Sequence, residues 1–95
     1  MEFIGVIRQI GELQNVESNH TGVSINCRDV LVETVEEYPR SAAFTLKGDN
    51  ARNFALPIGA QVRVFFDLRA FPSRNNPGRF FNTANAWRIR PLLNI

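Results

Sequence analysis

The chain has 95 residues, which is enough for one domain with a modest core but too few for a separate catalytic lobe. Hydrophobic residues make up 44% of it, and no apolar run approaches the roughly 20 residues that span a bilayer. No secretion signal is recognisable at the start of the sequence. We therefore expect a single domain over residues 1–95 in a cytoplasmic protein that does not enter a membrane.

The charges are unevenly distributed, although the net charge is only +2. Residues 1–40 contain seven acids and three arginines, whereas residues 61–95 contain six arginines and one acid, Asp67. All but one of the cationic side chains are arginines, which can bind phosphates in a bidentate manner and stack on rings. The basic half predicts contact with a polyanion. The alternative is that these arginines are simply solvated on the outer face of a sheet.

In chain order, alternating apolar and polar residues first predict three strands. Their predicted bounds are Glu2–Leu13, Val23–Thr34 and Ser41–Lys47, with a polar loop at 15–22 and a turn at 35–40. Gly5 and Gly11 predict a bulge or bend in the first strand, which would let it take part in two sheets of a barrel. The inward residues of the next two strands are predicted to be Val30, Val32, Phe44 and Leu46.

A short helix is predicted after the third strand. Asp49 is the expected N-cap, the helix covers Asn50–Ala55, and Pro57 ends it. Phe54 and Leu56 would then close one end of the barrel.

The most informative segment is 59–90, which predicts two long strands joined by a flexible turn at 72–78, with arginine and phenylalanine interleaved on both arms. The predicted inward set of the fourth strand is Val62, Val64, Phe66 and Leu68. In the fifth strand, the adjacent Phe80 and Phe81 must point to opposite faces, and a bulge near Asn82 would reconcile the apolar pairs that follow. We expect Trp87 in the core at a barrel end and Phe65 in a subunit interface.

Three strands, a helix and two further strands are the order of an OB-fold. The predicted fold class is therefore all-β, a five-stranded OB-fold barrel with one short helix between strands three and four. Such barrels bind ligands across strands two and three and between the loops that join strands one to two and four to five. The segment 59–90 would supply strands four and five.

Three segments carry a family resemblance: Phe44-Thr-Leu-Lys-Gly-Asp49, Gly59-Ala-Gln-Val-Arg-Val64 and Gly78-Arg-Phe-Phe-Asn-Thr-Ala-Asn-Ala-Trp-Arg-Ile89. In this order they are similar to the bacterial single-stranded DNA-binding protein family. Met1-Glu-Phe-Ile-Gly5 and Glu33-Thr-Val-Glu-Glu-Tyr-Pro39 resemble in particular its short relative, domain of unknown function 3127. The resemblance covers nearly the whole chain. It implies a single-stranded DNA-binding barrel that forms a homodimer or homotetramer and is not an enzyme.

The chain departs from this family at several positions. Ile25, Ser41 and Lys47 stand where the resemblance leads us to expect base-stacking aromatic residues. The acidic, phenylalanine-ending tail by which many members recruit partners is also absent from the last segment, Pro91-Leu-Leu-Asn-Ile95. Stacking would then depend on the phenylalanines of the segment 59–90.

Single-stranded DNA binding without sequence readout is the leading prediction, because arginine neutralises phosphates and an aromatic ring stacks on any base. The candidate nucleic-acid-binding residues are Arg28, Lys47, Arg69, Phe71, Arg74, Arg79, Phe80 and Phe81. RNA is not distinguished from DNA by these residues. The alternative is a protein-interaction or assembly module, a homo-oligomeric adaptor that binds no nucleic acid.

Catalysis, metal binding and cofactor binding find no support in the sequence. The chain has one histidine, His20, and one cysteine, Cys27, so no cluster at metal-ligand spacing exists. Cys27 is expected to be a small core residue. We predict no enzymatic activity, no metal and no cofactor.

Overall fold

The computed structural model describes residues 1–17 and 22–92. Over these residues the chain forms six strands and one helix. They are β1 (Glu2–Ile10), β2 (Gln14–Glu17), β3 (Ser24–Glu33), β4 (Ser41–Lys47), α1 (Asp49–Arg52), β5 (Gln61–Pro72) and β6 (Phe80–Pro91). His20 and the last three residues lie outside the described part of the chain.

Five of the strands close into a ring. Strand β1 pairs with both β3 and β5, β3 pairs with β4, and β5 pairs with β6, all antiparallel. A parallel contact between β4 and β6, at Thr45 and Asn85, completes the circuit. The predicted five-stranded OB-fold barrel with a short helix between its third and fourth strands is confirmed.

Strand β1 takes part in two sheets, as its glycines predicted. Its first half pairs with β5 and its second half with β3, and a bulge at Arg8 separates the two. Gly5 lies against the carbonyl oxygen of Glu33, where a Cβ atom would collide with the backbone. The predicted end at Leu13 is wrong: β1 stops at Ile10, and part of the predicted polar loop forms β2 against β3.

The core lies inside this ring. The predicted inward residues of the second and third barrel strands and the first three of the fourth are buried: Val30, Val32, Phe44, Leu46, Val62, Val64 and Phe66. The Phe44 ring lies between the rings of Phe3 and Phe66, at centroid distances of 5.4 and 4.8 Å. Phe54 and Leu56 pack on this core from one end.

Leu68 is the exception in the predicted inward set, because it is 51% exposed. The β1 partner of β5 ends at Glu2, opposite Phe65, so Leu68 keeps the inward side of its strand but lies beyond the barrel. The prediction of a core position is therefore wrong for this residue.

The helix is shorter than predicted and is capped differently. It covers Asp49–Arg52, with Gly48 as N-cap at a φ of 65° and no side-chain cap. Asp49 stands in the first turn and forms an ion pair with Arg52 at 3.0 Å. The prediction of Asp49 as N-cap of a helix reaching Ala55 is thus wrong.

The bulge of β6 falls at Trp87, and not near Asn82. Phe65 pairs with Arg88 and Phe66 with Ala86, which leaves Trp87 without a partner. This extra residue places Ala86 and Ile89 on the core side together. Trp87 is pushed outward and is 52% exposed, so the expected core position is wrong for it as well.

No helix within the described residues is long and apolar enough to cross a membrane.

Candidate nucleic-acid interface

The far halves of β5 and β6 form an arm that stands away from the barrel. We call residues 67–84 the hairpin arm. Beyond the contacts at Phe65 and Asn85, β5 and β6 pair only with each other. The five residue steps from Asp67 to Pro72, at about 3.4 Å each, give the arm a reach of about 17 Å. Within the arm no side chain is buried.

Register fixes which side chains share a face of the arm. Phe71 lies directly opposite Phe81, and Arg69 lies directly opposite Thr83. Since strand residues alternate, these four side chains share the outer face, while Phe80 lies on the other face with Leu68. Phe71, Phe81 and Phe80 are 49%, 60% and 69% exposed, respectively. The adjacent phenylalanines point to opposite faces as predicted, and neither enters the core.

The loop at the tip of the arm is held by its own backbone. The amide of Ser73 donates to the carbonyl of Arg79 at 2.9 Å, and the amide of Asn76 donates to the Ser73 hydroxyl at 3.2 Å. Arg74 and Arg79 flank the tip and are exposed. Neither forms an ion pair with any described residue. The arm therefore brings together three arginines, at 69, 74 and 79, around the Phe71 and Phe81 rings.

The two predicted cations on the neighbouring strands point in opposite directions. Lys47 lies opposite Cys27 on the outer face of β3 and β4 and is exposed. Arg28 lies opposite Leu46 on the core side, half-buried, and donates to the carbonyl oxygen of Phe54 at 3.4 Å. Lys47 is thus free to meet a ligand, whereas Arg28 closes the end of the barrel beside Phe54.

Cys27 is half-buried on the outer face and not in the core, so its predicted position is wrong. Nothing aromatic replaces the expected stacking residues on this face: Ile25 is 41% exposed beside Val16, and Ser41 is exposed at the start of β4. Among the described residues no group of three His, Cys, Asp or Glu could hold a metal ion.

Sequence reasoning missed an aromatic pair at the base of the hairpin. Trp87 contacts Phe65 with ring centroids 5.3 Å apart. Arg88 lies opposite Phe65 on the same outer face. The basic and aromatic order around residue 87 was a signal for this patch, but only the bulge turns the indole outward.

Residues 2–90 match the family described as Domain of unknown function (DUF3127). The chain belongs to this family. Among curated proteins, none matches this DUF3127 chain.

Solved structures resemble the DUF3127 barrel closely in fold and weakly in sequence. One is the N-terminal domain of PriB protein from Thermoanaerobacter tencongensis, described as dimeric, with a TM-score of 0.66 and 14% identity over 99% of this chain and 96% of that chain. Another is the wild-type single-stranded DNA binding protein from Thermus aquaticus, with a TM-score of 0.68 and 16% identity over 97% of this chain. The match covers 48% of the Thermus aquaticus chain, about half of its length. At these identities the likeness establishes the OB-fold.

Proposed function

We propose that this DUF3127 protein binds single-stranded DNA without sequence readout, through the outer face and tip of the hairpin arm. The observation that carries the proposal is the exposed pair of Phe71 and Phe81 directly opposite each other, with Arg69 beside them on the same face. A base can stack on such rings whatever its identity, and the guanidinium can neutralise the adjoining phosphate. The likeness to a barrel named as a single-stranded DNA binding protein supports this function.

A single strand suits this surface better than a duplex. The faces of the bases are covered by stacking in a duplex, so rings on a protruding ribbon can reach them only when the strand is unpaired. Arg74 and Arg79 at the tip, with Lys47 on the outer face of β4, extend the positive charge available to the backbone. The proposal is of a binding protein with no catalytic step.

The test is a titration of fluorescein-labelled oligo-dT followed by anisotropy at several salt concentrations. We expect the wild-type protein to bind at low salt, with log K falling by about 0.7 per phosphate contact for each unit of log salt. Arg74→Glu with Arg79→Glu should weaken binding strongly and flatten this slope. The charge-matched control is Arg40→Glu with Arg52→Glu, because both arginines are exposed and lie outside the arm. No binding at low salt, or equal losses in both double variants, would refute the proposal.

Oligo-U in place of oligo-dT distinguishes RNA from DNA in the same assay. Equal affinity would widen the ligand to either nucleic acid, because the stacking surface reads no 2′-hydroxyl. Tighter binding of oligo-U would overturn the assignment to DNA.

A second candidate function is assembly of copies of this chain through the arm. Phe80, 69% exposed, and Leu68 place apolar surface on the face that the proposed nucleic-acid surface does not use. A homodimer or homotetramer joined there would bury both side chains. Light scattering on wild-type and Phe80→Asp protein tests it: a monomeric mass for the wild type, or an unchanged oligomer in the variant, would eliminate this candidate.

A further inference from the structure

The outer surface at the base of the β5 and β6 hairpin carries arginine and aromatic side chains outside the arm. We call Arg63, Phe65, Trp87, Arg88 and Arg90 the basal face. Arg63 lies directly opposite Arg90, and Phe65 lies directly opposite Arg88. Strand alternation puts these four side chains on the side away from the core. The bulge at Trp87 turns the indole to the same side, against Phe65.

The charges of this face are unbalanced. Like charges directly opposite each other on a sheet are destabilising, and none of the three arginines forms an ion pair among the described residues. The Nε atom of Arg63 is buried and has no hydrogen-bond partner. Buried donors nearly always find an acceptor, so an anion that reaches this guanidinium would satisfy a group that the folded chain leaves unpaired. The acid nearest along the strands is Glu2, opposite Phe65.

A small open cleft adjoins the paired arginines. It has a volume of about 260 Å³ and is lined by Arg63, Arg90, Pro91 and Leu92. One phosphate group fits in such a space between two guanidinium groups. The half-exposed indole of Trp87 lies further along the same face, towards the arm.

We propose that the basal face is the continuation of the single-strand path, with a base on Trp87 and a backbone phosphate between Arg63 and Arg90. This inference rests on the proposed function, since it extends the same site. Arg63 and Phe71 are eight residues apart on β5, so the combined path spans about 27 Å. OB-folds bind about 4–16 nucleotides, and a path of this length lies within that range.

A nucleic acid suits the basal face better than a second copy of the chain does. Two copies related by a twofold axis would present the same patch to each other, which brings arginine towards arginine. A polyanion supplies the opposite charge to all three guanidinium groups. Stacking between Phe65 and Trp87 also leaves the indole half-exposed, ready for one further ring.

Trp87 is the only tryptophan in the sequence, so intrinsic emission reports this face alone. We expect indole emission to fall along the same curve as the anisotropy when a labelled oligo-dT of about 12 nucleotides, within the OB-fold site size, is added. Arg88→Gln with Arg90→Gln, both at exposed positions, should reduce the salt slope by about 1.4, the value for two lost phosphate contacts. Arg40→Gln with Arg52→Gln is the charge-matched control and should leave the slope unchanged.

The outcomes separate this inference from the proposed function. Binding by anisotropy with constant indole emission would overturn the basal path and leave the arm site standing. An absence of binding by anisotropy would remove the proposed function itself. A change of mass by light scattering in the Arg88→Gln, Arg90→Gln variant, with unchanged oligonucleotide affinity, would assign the face to contacts between copies and also overturn the inference.

Discussion

Replacing either phenylalanine of the outer arm pair by alanine should weaken oligo-dT binding without unfolding the protein. Phe71 and Phe81 are 49% and 60% exposed, so neither is needed to fill the core. Side chains directly opposite in an antiparallel pair have Cβ atoms about 4.5–5.5 Å apart, and the two rings therefore form one platform. Base stacking contributes about 1–3 kcal/mol, which corresponds to a loss of about 5- to 140-fold in affinity.

The assay is anisotropy of labelled oligo-dT for Phe71→Ala, Phe81→Ala and the double variant, with thermal melts of each. Because one platform serves one base, the loss in the double variant should be smaller than the product of the two single losses. Phe80→Ala is the matched control, since Phe80 is adjacent and 69% exposed but lies on the opposite face. Its effect on affinity should be less than twofold.

Equal losses in Phe80→Ala and Phe81→Ala would refute the assignment of the outer face. Full affinity in all of the single and double variants would refute stacking on the arm altogether. A melting temperature that fell by more than a few degrees would show that the exposed rings stabilise the fold, contrary to their burial.

Further predictions concern the barrel and the neighbouring cations. Leu46→Ala, at a residue 2% exposed, should cost about 2–5 kcal/mol of unfolding free energy in urea titrations, whereas Leu68→Ala, at one 51% exposed, should cost less than about 1; equal costs would contradict the position of Leu68 beyond the end of the barrel. Gly5→Ala should lower the urea midpoint by an amount equivalent to about 1–3 kcal/mol, because its Cβ meets the Glu33 carbonyl; an unchanged midpoint would contradict that close contact. Lys47→Gln should reduce the salt slope of oligo-dT binding by about 0.7 with no loss of stability, while Arg28→Gln should lower the melting temperature because its bond to Phe54 is lost; the reverse result would exchange their roles.

Strand alternation and punctuation predicted the barrel because the core positions follow a strict period. Phe44 and Leu46 in β4 illustrate this, since the strand has the predicted bounds and both residues are buried. Alternation reports only the face of a strand, however, and not where its neighbour ends. Leu68 lies on the predicted face but beyond the last residue of β1, and so it is exposed.

The basal aromatic pair could not be located from the sequence for a related reason. A single extra residue reverses the facing of everything on one side of it, and the pattern around residues 82–89 fits more than one bulge position. The pairing of Phe65 with Arg88 and of Phe66 with Ala86 decides this point, because it is a contact between distant parts of the chain. Arg28 shows the same limit, as its charge predicted a ligand while its neighbour Leu46 places it on the core side.

The most direct test of the account is chemical-shift mapping of isotope-labelled protein during titration with oligo-dT. The account predicts perturbed amides concentrated in the hairpin arm, from Arg69 to Thr83, with side-chain shifts at Phe71 and Phe81. Perturbations confined to the opposite end of the barrel, around α1, or no perturbation at low salt, would contradict it.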